Sequence, residues 1–298
     1  MIPVTTRFEA VIKDGLVPTL RRLLGAGIPG IVLEAPAPDR ALELDQRALR
    51  ELRAPVVGAI APLVPAPATL GTIASVDADV ARAAASAIRA TAAAVAPLGA
   101  RNVVAVLGAA GIPGESELRH ACAQPGAEAA ALVAAWRAER REDRGRQALA
   151  ICRALHGIVR TVAPQRLLLL PGPDPLGFFD AECALWVLED LGPHAVGLAL
   201  DSGWVWAAEA RGGTPMRAWL TEHQSRLGFL FVSDHDGSGC GEILPGAGRG
   251  DLAVLRDAIG KRTPRAVRPD PRASLDDLLA SVGEAARVLG AVGDVVGW

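Results

Sequence analysis

The chain reads as an α/β protein, a parallel eight-stranded (β/α)8 TIM barrel, on three observations. Short, almost wholly apolar runs alternate with longer amphipathic stretches along the whole length. Runs that are apolar at every position belong to strands buried on both faces, as in parallel sheets covered by helices. Eight such strand–helix pairs occur, and eight right-handed crossover units are the number that closes a parallel sheet on itself. A doubly wound open sheet is the alternative. Its dinucleotide-binding form lacks support, because no G-x-G-x-x-G opens a helix after the first strand.

Each element follows in order. "IPVTTR" (2–7) is the first strand, and "GLVPTLRRLLGAG" (15–27) is a helix ended by glycine. "IVLEAP" (31–36) is the second strand, and "ALELDQRALREL" carries apolar residues at helical spacing. "PVVGAIAPLV" (55–64) is the third strand. The alanine-rich helix after it, residues 77–98, has Asp77 and Asp79 at its positive end. "NVVAVLGAA" (102–110) is the fourth strand, followed by a long region to about Val162. Its charge-dense "RAERREDRGR" (137–146) is expected to be a solvated helix face, and its 111–128 segment either a lid over the mouth or a loop without order. "RLLLLPG" (166–172), "AVGLALDSG" (195–203), "FLFVSD" (229–234) and "RAVRPD" (265–270) are strands five to eight. Helices around 180–192, 214–227, 251–262 and 274–290 alternate with them, the last capped by Ser274. No linker divides the chain, so residues 1–298 are expected to form one domain.

Composition narrows the function classes. The 31 Lys and Arg against 33 Asp and Glu give a net charge of −2, without the basic surplus of a nucleic-acid binder. The four cysteines lie far apart with no C-x-x-C pair, as expected for reduced thiols in a cytoplasmic protein. The N-terminus lacks the basic and apolar regions of a signal peptide. Residues 56–76 carry no charge over a length that could span a bilayer, but Pro62, Pro65 and Pro67 would break a helix at its centre. Neither a membrane nor a nucleic acid is expected as partner.

In such barrels chemistry sits where strands end at the C-terminal mouth. The polar strand endings here are Glu34, Asp201, the run Asp234-His235-Asp236, and Arg268 with Asp270; the fifth strand ends in "PGPDP", with Asp174 its first charge. Asp201 precedes Ser-Gly and is equally suited to capping the next helix or to serving a site. Asp201, Asp234, His235 and Asp236 include oxygen and imidazole donors of the kind that hold a divalent ion. Neighbours on a strand face opposite ways, so at most two or three of the four converge. In "PGAGRGD" (245–251), glycines let backbone N–H groups approach an anion, and Arg249 adds donors; a plain turn is the simpler account. Trp204 and Trp206 offer aromatic faces for a sugar ring, or for packing.

"LALDSGWVW", "FLFVSDHDG" and "GEILPGAGRGDL", in that order and spacing, resemble the sixth strand, the seventh strand and the following segment of the xylose-isomerase-like TIM barrels, the sugar phosphate isomerase/epimerase group. "GIPGIVLEAP" looks like their second strand with its glutamate, here Glu34. The resemblance implies one divalent metal (Mn, Mg or Zn) held by Glu, Asp, His and Glu on strands five to eight, with two glutamates shuttling a proton beside a sugar carbonyl. Only the sixth-strand ligand is matched, by Asp201. The others fall at Leu170 or Pro171, at Phe231 and near Arg268, and the sixth-strand histidine is Trp204.

Two expectations follow. The first is a sugar (phosphate) isomerase/epimerase-like barrel with a degenerate metal site, with no metal or one weakly bound. His235, Asp234 and Glu34 would be catalytic, Asp201 a metal ligand, and Trp204, Arg249, Arg268 and Asp236 substrate-binding. The second is a non-catalytic barrel that binds a small polyol or phosphosugar, or that serves as a partner subunit. A carbohydrate or sugar phosphate is the expected small molecule, and the barrel is expected alone or as a homodimer. An endonuclease for abasic DNA, from the same superfamily, would need more His and Glu ligands and a basic groove.

Overall fold

The structure is a computed structural model and describes residues 1–7, 9–34, 46–66, 69–239, 241–259 and 263–290. Eight parallel strands close into a barrel: β1 (Val4–Thr5), β2 (Ile31–Leu33), β3 (Val56–Ile60), β4 (Asn102–Leu107), β5 (Arg166–Pro171), β6 (Val196–Asp201), β7 (Leu227–Val232) and β8 (Arg265–Val267). Sequential strands are neighbours throughout, and the ring is closed by Val4, which pairs with Ile31 on one side and Val267 on the other. The open-sheet alternative is thereby set aside.

Alternation along each strand explains why consecutive strand positions are apolar on both faces. In β5, Leu168 and Leu170 enter the cluster that fills the barrel, while Leu167 and Leu169 enter the cluster between barrel and helices. In β7 the inner residues are Phe229 and Phe231 and the outer ones Leu230 and Val232. The same period of two places Val32 of β2, Ala199 of β6 and Ala266 of β8 inside. Continuing that count two residues further turns Glu34, Asp201 and Arg268 inward at the mouth, and turns Ser233 inward and Asp234 outward. On β1, where Val4 is outer, the count turns Thr5 and Arg7 inward.

The helices are α1 (Glu9–Asp14), α2 (Leu16–Gly25), α3 (Gln46–Glu51), α4 (Ala78–Val95), α5 (Glu115–Ala121), α6 (Ala127–Glu139), α7 (Arg141–Val162), α8 (Ala181–Asp190), α9 (Ser202–Glu209), α10 (Met216–His223), α11 (Leu252–Ala258) and α12 (Leu275–Leu289). Carboxylate and hydroxyl caps start several of them: Asp77 accepts from the N–H groups of Asp79 and Val80, Asp180 from Cys183, Asp251 from Ala253 and Ser274 from Asp277. Among the described residues no helix is long and apolar enough to cross a membrane. The uncharged 56–76 stretch is instead β3 followed by a small hairpin, Val64–Ala66 against Thr69–Gly71.

Several boundaries depart from the sequence expectation. The helix expected over 214–227 ends at His223, a turn of 3₁₀ helix follows, and β7 begins at Leu227. β8 spans three residues, so Arg268 and Asp270 lie beyond it. Of the helix expected around 41–52, residues 41–45 lie outside the described residues and Gln46–Glu51 is helical; Cys240 also lies outside the described residues. The 137–146 run is not a uniformly solvated face: Arg144 is buried and bonds Asp180, with Arg137 beside it at 3.2 Å from the same carboxylate. A buried arginine is tolerated there because a carboxylate that already caps α8 neutralises it.

Gly203, in the first turn of α9, packs against the end of β7. A Cβ there would overlap the backbone oxygens of Asp234 and Gly241. Gly203→Ala is expected to destabilise the protein by about 1–3 kcal/mol through overpacking, measured as a lower urea midpoint at unchanged slope.

Candidate functional site

The centre of the mouth is Arg268. Its Nη2 donates to Glu34 Oε1 at 2.5 Å, its Nη1 donates to Asp201 Oδ2 at 3.1 Å, and Glu242 stands 3.7 Å from Nη2. Its guanidinium carbon lies 4.0 Å from the centre of the Trp204 ring. Residues from β2, β6, the loop after β7 and the end of β8 therefore meet on one cation. Burial opposes the charge on Arg268, but Glu34, Asp201 and Glu242 together raise its pKa above the usual arginine value. Arg268 is a fixed positive charge.

Asp201 is fully buried. Besides Arg268 it accepts from Ser233 Oγ and from the Trp204 N–H at 3.2 Å, which makes it the cap of α9. Burial pushes its carboxyl pKa upward, against the opposing pull of Arg268, Ser233 and the Trp204 N–H. Asp201 is thus the cap of α9 and also belongs to the mouth cluster. Glu34 is held from behind by Thr6, whose hydroxyl exchanges hydrogen bonds of 2.9 Å with its backbone N–H and C=O.

Above this cluster is a cavity of about 300 Å³, at the small end of ligand sites. Ile60, Leu63, Val106 and Trp204 give it apolar walls, and Arg7, Glu34, Thr72, Asp174, Glu242 and Arg268 give it polar ones. Arg7 donates to Glu242 at 3.1 Å and lies 3.6 Å from Glu34. Asp174 accepts from Arg119 of α5 at 2.5 Å, so the 111–128 segment contains a helix tied to the β5 loop beside the cavity. Among the described residues, two polar atoms of the lining side chains, Glu34 Oε2 and Arg7 Nε, are closed off from solvent and have no hydrogen-bond partner.

The Asp234-His235-Asp236 run is placed differently from the expectation that it carries chemistry. Asp234 turns outward, and its two oxygens accept from the backbone N–H groups of His235, Gly246, Gly248 and Gly250 at 2.7–3.2 Å. The glycine-rich loop does cradle an anion, but the anion is the protein's own carboxylate. Arg249, expected to be substrate-binding, lies against Gly237 and outside the cavity lining. His235 packs on Trp206 at 5.9 Å between ring centres, and Asp236 binds the N–H and hydroxyl of Ser238. None of these lines the cavity. Of the residues singled out from the sequence, Glu34, Trp204, Arg268 and Asp201 come together; Arg7, Ser233 and Glu242 were missed. Arg7 closes the first strand, and applying the strand-end rule there would have found it.

A divalent metal does not fit this donor set. Such an ion needs several oxygen donors, whereas both Asp201 oxygens already accept hydrogen bonds from protein groups. The inward positions on β5 and β7 are Leu170 and Phe231, within the apolar interior. Among the described residues no group of three or more His, Cys, Asp or Glu is placed to hold a metal.

No protein-family model matches the chain, and no curated protein matches it. Solved structures do. A D-tagatose 3-epimerase-like protein superposes with a TM-score of 0.67 at 14% identity, covering 99% of each chain. A D-psicose 3-epimerase from Clostridium cellulolyticum H10, solved with D-tagatose, gives 0.65 at 12% identity over 97% of this chain and 99% of that one. The 3-keto-D-glucoside 4-epimerase of E. coli gives 0.61 at 13% identity over 96% and 98%. The fold shared with these structures is the closed parallel (β/α)8 barrel. At these identities the likeness is one of fold.

Removing Arg268 leaves Asp201 and Glu34 buried without their cation. Arg268→Met is expected to cost about 3–5 kcal/mol, the usual penalty for breaking a buried ion pair from one side, read from urea unfolding.

Proposed function

We propose that the chain is a sugar isomerase/epimerase-like barrel whose divalent-metal centre is degenerate, and that its mouth binds a small polyol without a metal. The observation that carries this is the Arg268 guanidinium clasped by Glu34 and Asp201 over Trp204. A cation supplied by the chain stands among the carboxylates, and the remaining ligand positions of the relatives are apolar here. The whole chain is taken as one barrel domain.

Binding without turnover is the favoured form of this reading. The metal-dependent proton shuttle that the resemblance implies uses a Lewis acid and two bases, and Arg268 Nη1 and Nη2 each already donate to a carboxylate. The alternative, a metal-free isomerase or epimerase, is favoured by one observation: the Glu34 side chain is a carboxylate among those that line the cavity, where it could take a proton from a bound sugar.

Millimolar D-tagatose, D-fructose or xylitol is expected to raise the melting temperature of the purified protein by mass action, by the same amount with and without EDTA. Stabilisation abolished by EDTA, or obtained only with added Mn²⁺, would contradict the proposal. Incubation in D₂O with each ketose separates the two forms: deuterium entering the carbon beside the carbonyl marks turnover.

A further inference from the structure

We infer that the ligand of the mouth is an amphipathic polyol, a sugar carrying an apolar alkyl or aryl substituent. Its hydroxyl-bearing end lies against the ends of β7, β8, β1 and β2, and its apolar arm against those of β3, β4 and β5. This rests on the polyol reading above and adds the substrate class and the side of the mouth that selects it.

The order of strands around the ring divides the cavity wall in two. Arg7 after β1, Glu34 after β2, Glu242 in the loop after β7 and Arg268 at the end of β8 all line it. β7, β8, β1 and β2 are consecutive in the closed barrel, so these charged residues form one unbroken arc. The other side is lined by Ile60, Pro62 and Leu63 at the end of β3, Val106 and Ala109 at the end of β4, and Pro173 after β5. Those three strands are consecutive too. Trp204 follows β6, which stands between the two arcs, and its indole also lines the cavity. An aromatic ring at that seam suits the C–H surface of a sugar.

Among the described residues, the polar groups on the β3–β5 side already carry protein hydrogen bonds. Thr72 Oγ1 accepts from the Ala74 N–H at 3.1 Å, and Asp174 accepts from Arg119 and, at 2.9 Å, from the Leu176 N–H. The Ala61 and Gly172 N–H groups donate to the carbonyls of Val104 and Leu107 at 2.8 and 3.1 Å, and Pro62 and Pro173 have no N–H to offer. A sugar with hydroxyls on every side would lose water from several of them against this wall without recovering the hydrogen bonds, which is costly. An alkyl or aryl group in the same place gains in proportion to the apolar area it buries. A charged arm is disfavoured, because Ile60, Leu63 and Val106 offer it no counter-charge. Only a ligand with one polar and one apolar end suits both arcs at once.

The test is titration calorimetry on the full chain, for wild type, Val106→Thr and Leu63→Asn. The ligands are D-fructose, then D-glucose, D-galactose and D-xylose with their phenyl β-glycosides, and phenol as the arm alone. In wild type at least one phenyl glycoside is expected to bind about tenfold or more tighter than its own free sugar, from burial of the ring, and tighter than phenol. Val106→Thr nearly keeps the shape of the wall but adds a hydroxyl to it, so the advantage of that glycoside is expected to fall below about threefold. Circular dichroism checks folding, and Leu63→Asn serves the comparison should Val106→Thr fail to fold. If free sugars bind but no phenyl glycoside gains on its parent, or the gain survives the substitutions, the amphipathic inference is overturned while polyol binding stands. If phenol binds as tightly as its glycosides, or if neither sugars nor glycosides bind, both fall.

Discussion

The structure of the mouth depends on one buried charge. Arg268 reaches from the end of β8 to Asp201 on β6 and Glu34 after β2, so its guanidinium bridges strands on opposite parts of the ring. Buried pairs of this kind add little net stability, since desolvation offsets most of the attraction. What they do is penalise any arrangement in which one partner is missing. Asp201 in turn caps α9 and receives the Ser233 hydroxyl, and Ser233 also accepts from the Gly203 N–H. The cation, the strand ends and the helix that follows β6 are thus coupled through hydrogen bonds that share one carboxylate.

That coupling decides what the site can do. A bound metal keeps open positions to which substrate oxygens and water can bind. A guanidinium has a fixed fork of donors, and here two of its nitrogens point at carboxylates at 2.5 and 3.1 Å. It supplies positive charge without an open coordination site. The side chains left to meet a ligand are those of the cavity wall, which combines apolar stretches with a few polar groups.

Much of this was legible in the sequence, and the rest has specific causes. Apolar strands in strict alternation predicted the ring, and the strand-end rule found Glu34, Asp201 and Arg268. The Asp234-His235-Asp236 run misled because its residue types suggested chemistry more strongly than its phase did. Phe231 is inward, so Ser233 is inward and Asp234 outward, where four backbone N–H groups claim its carboxylate. Counting phase from Phe231 would have chosen Ser233. Glu242 comes from a segment that Asp234 pins by pairing with Ile243 across the turn, a tertiary placement that no local pattern announces. The charge run at 137–146 hid a buried residue, Arg144, because its partner Asp180 lies 36 positions away in the chain.

The central claim is that the cation of this barrel belongs to the protein. Crystals grown with excess MnCl₂ and measured at the manganese absorption edge test it most directly. The account predicts guanidinium density between Glu34 and Asp201 and no anomalous peak within bonding distance of Asp201. A manganese peak on Asp201, with the Arg268 side chain turned away from it, would contradict the account.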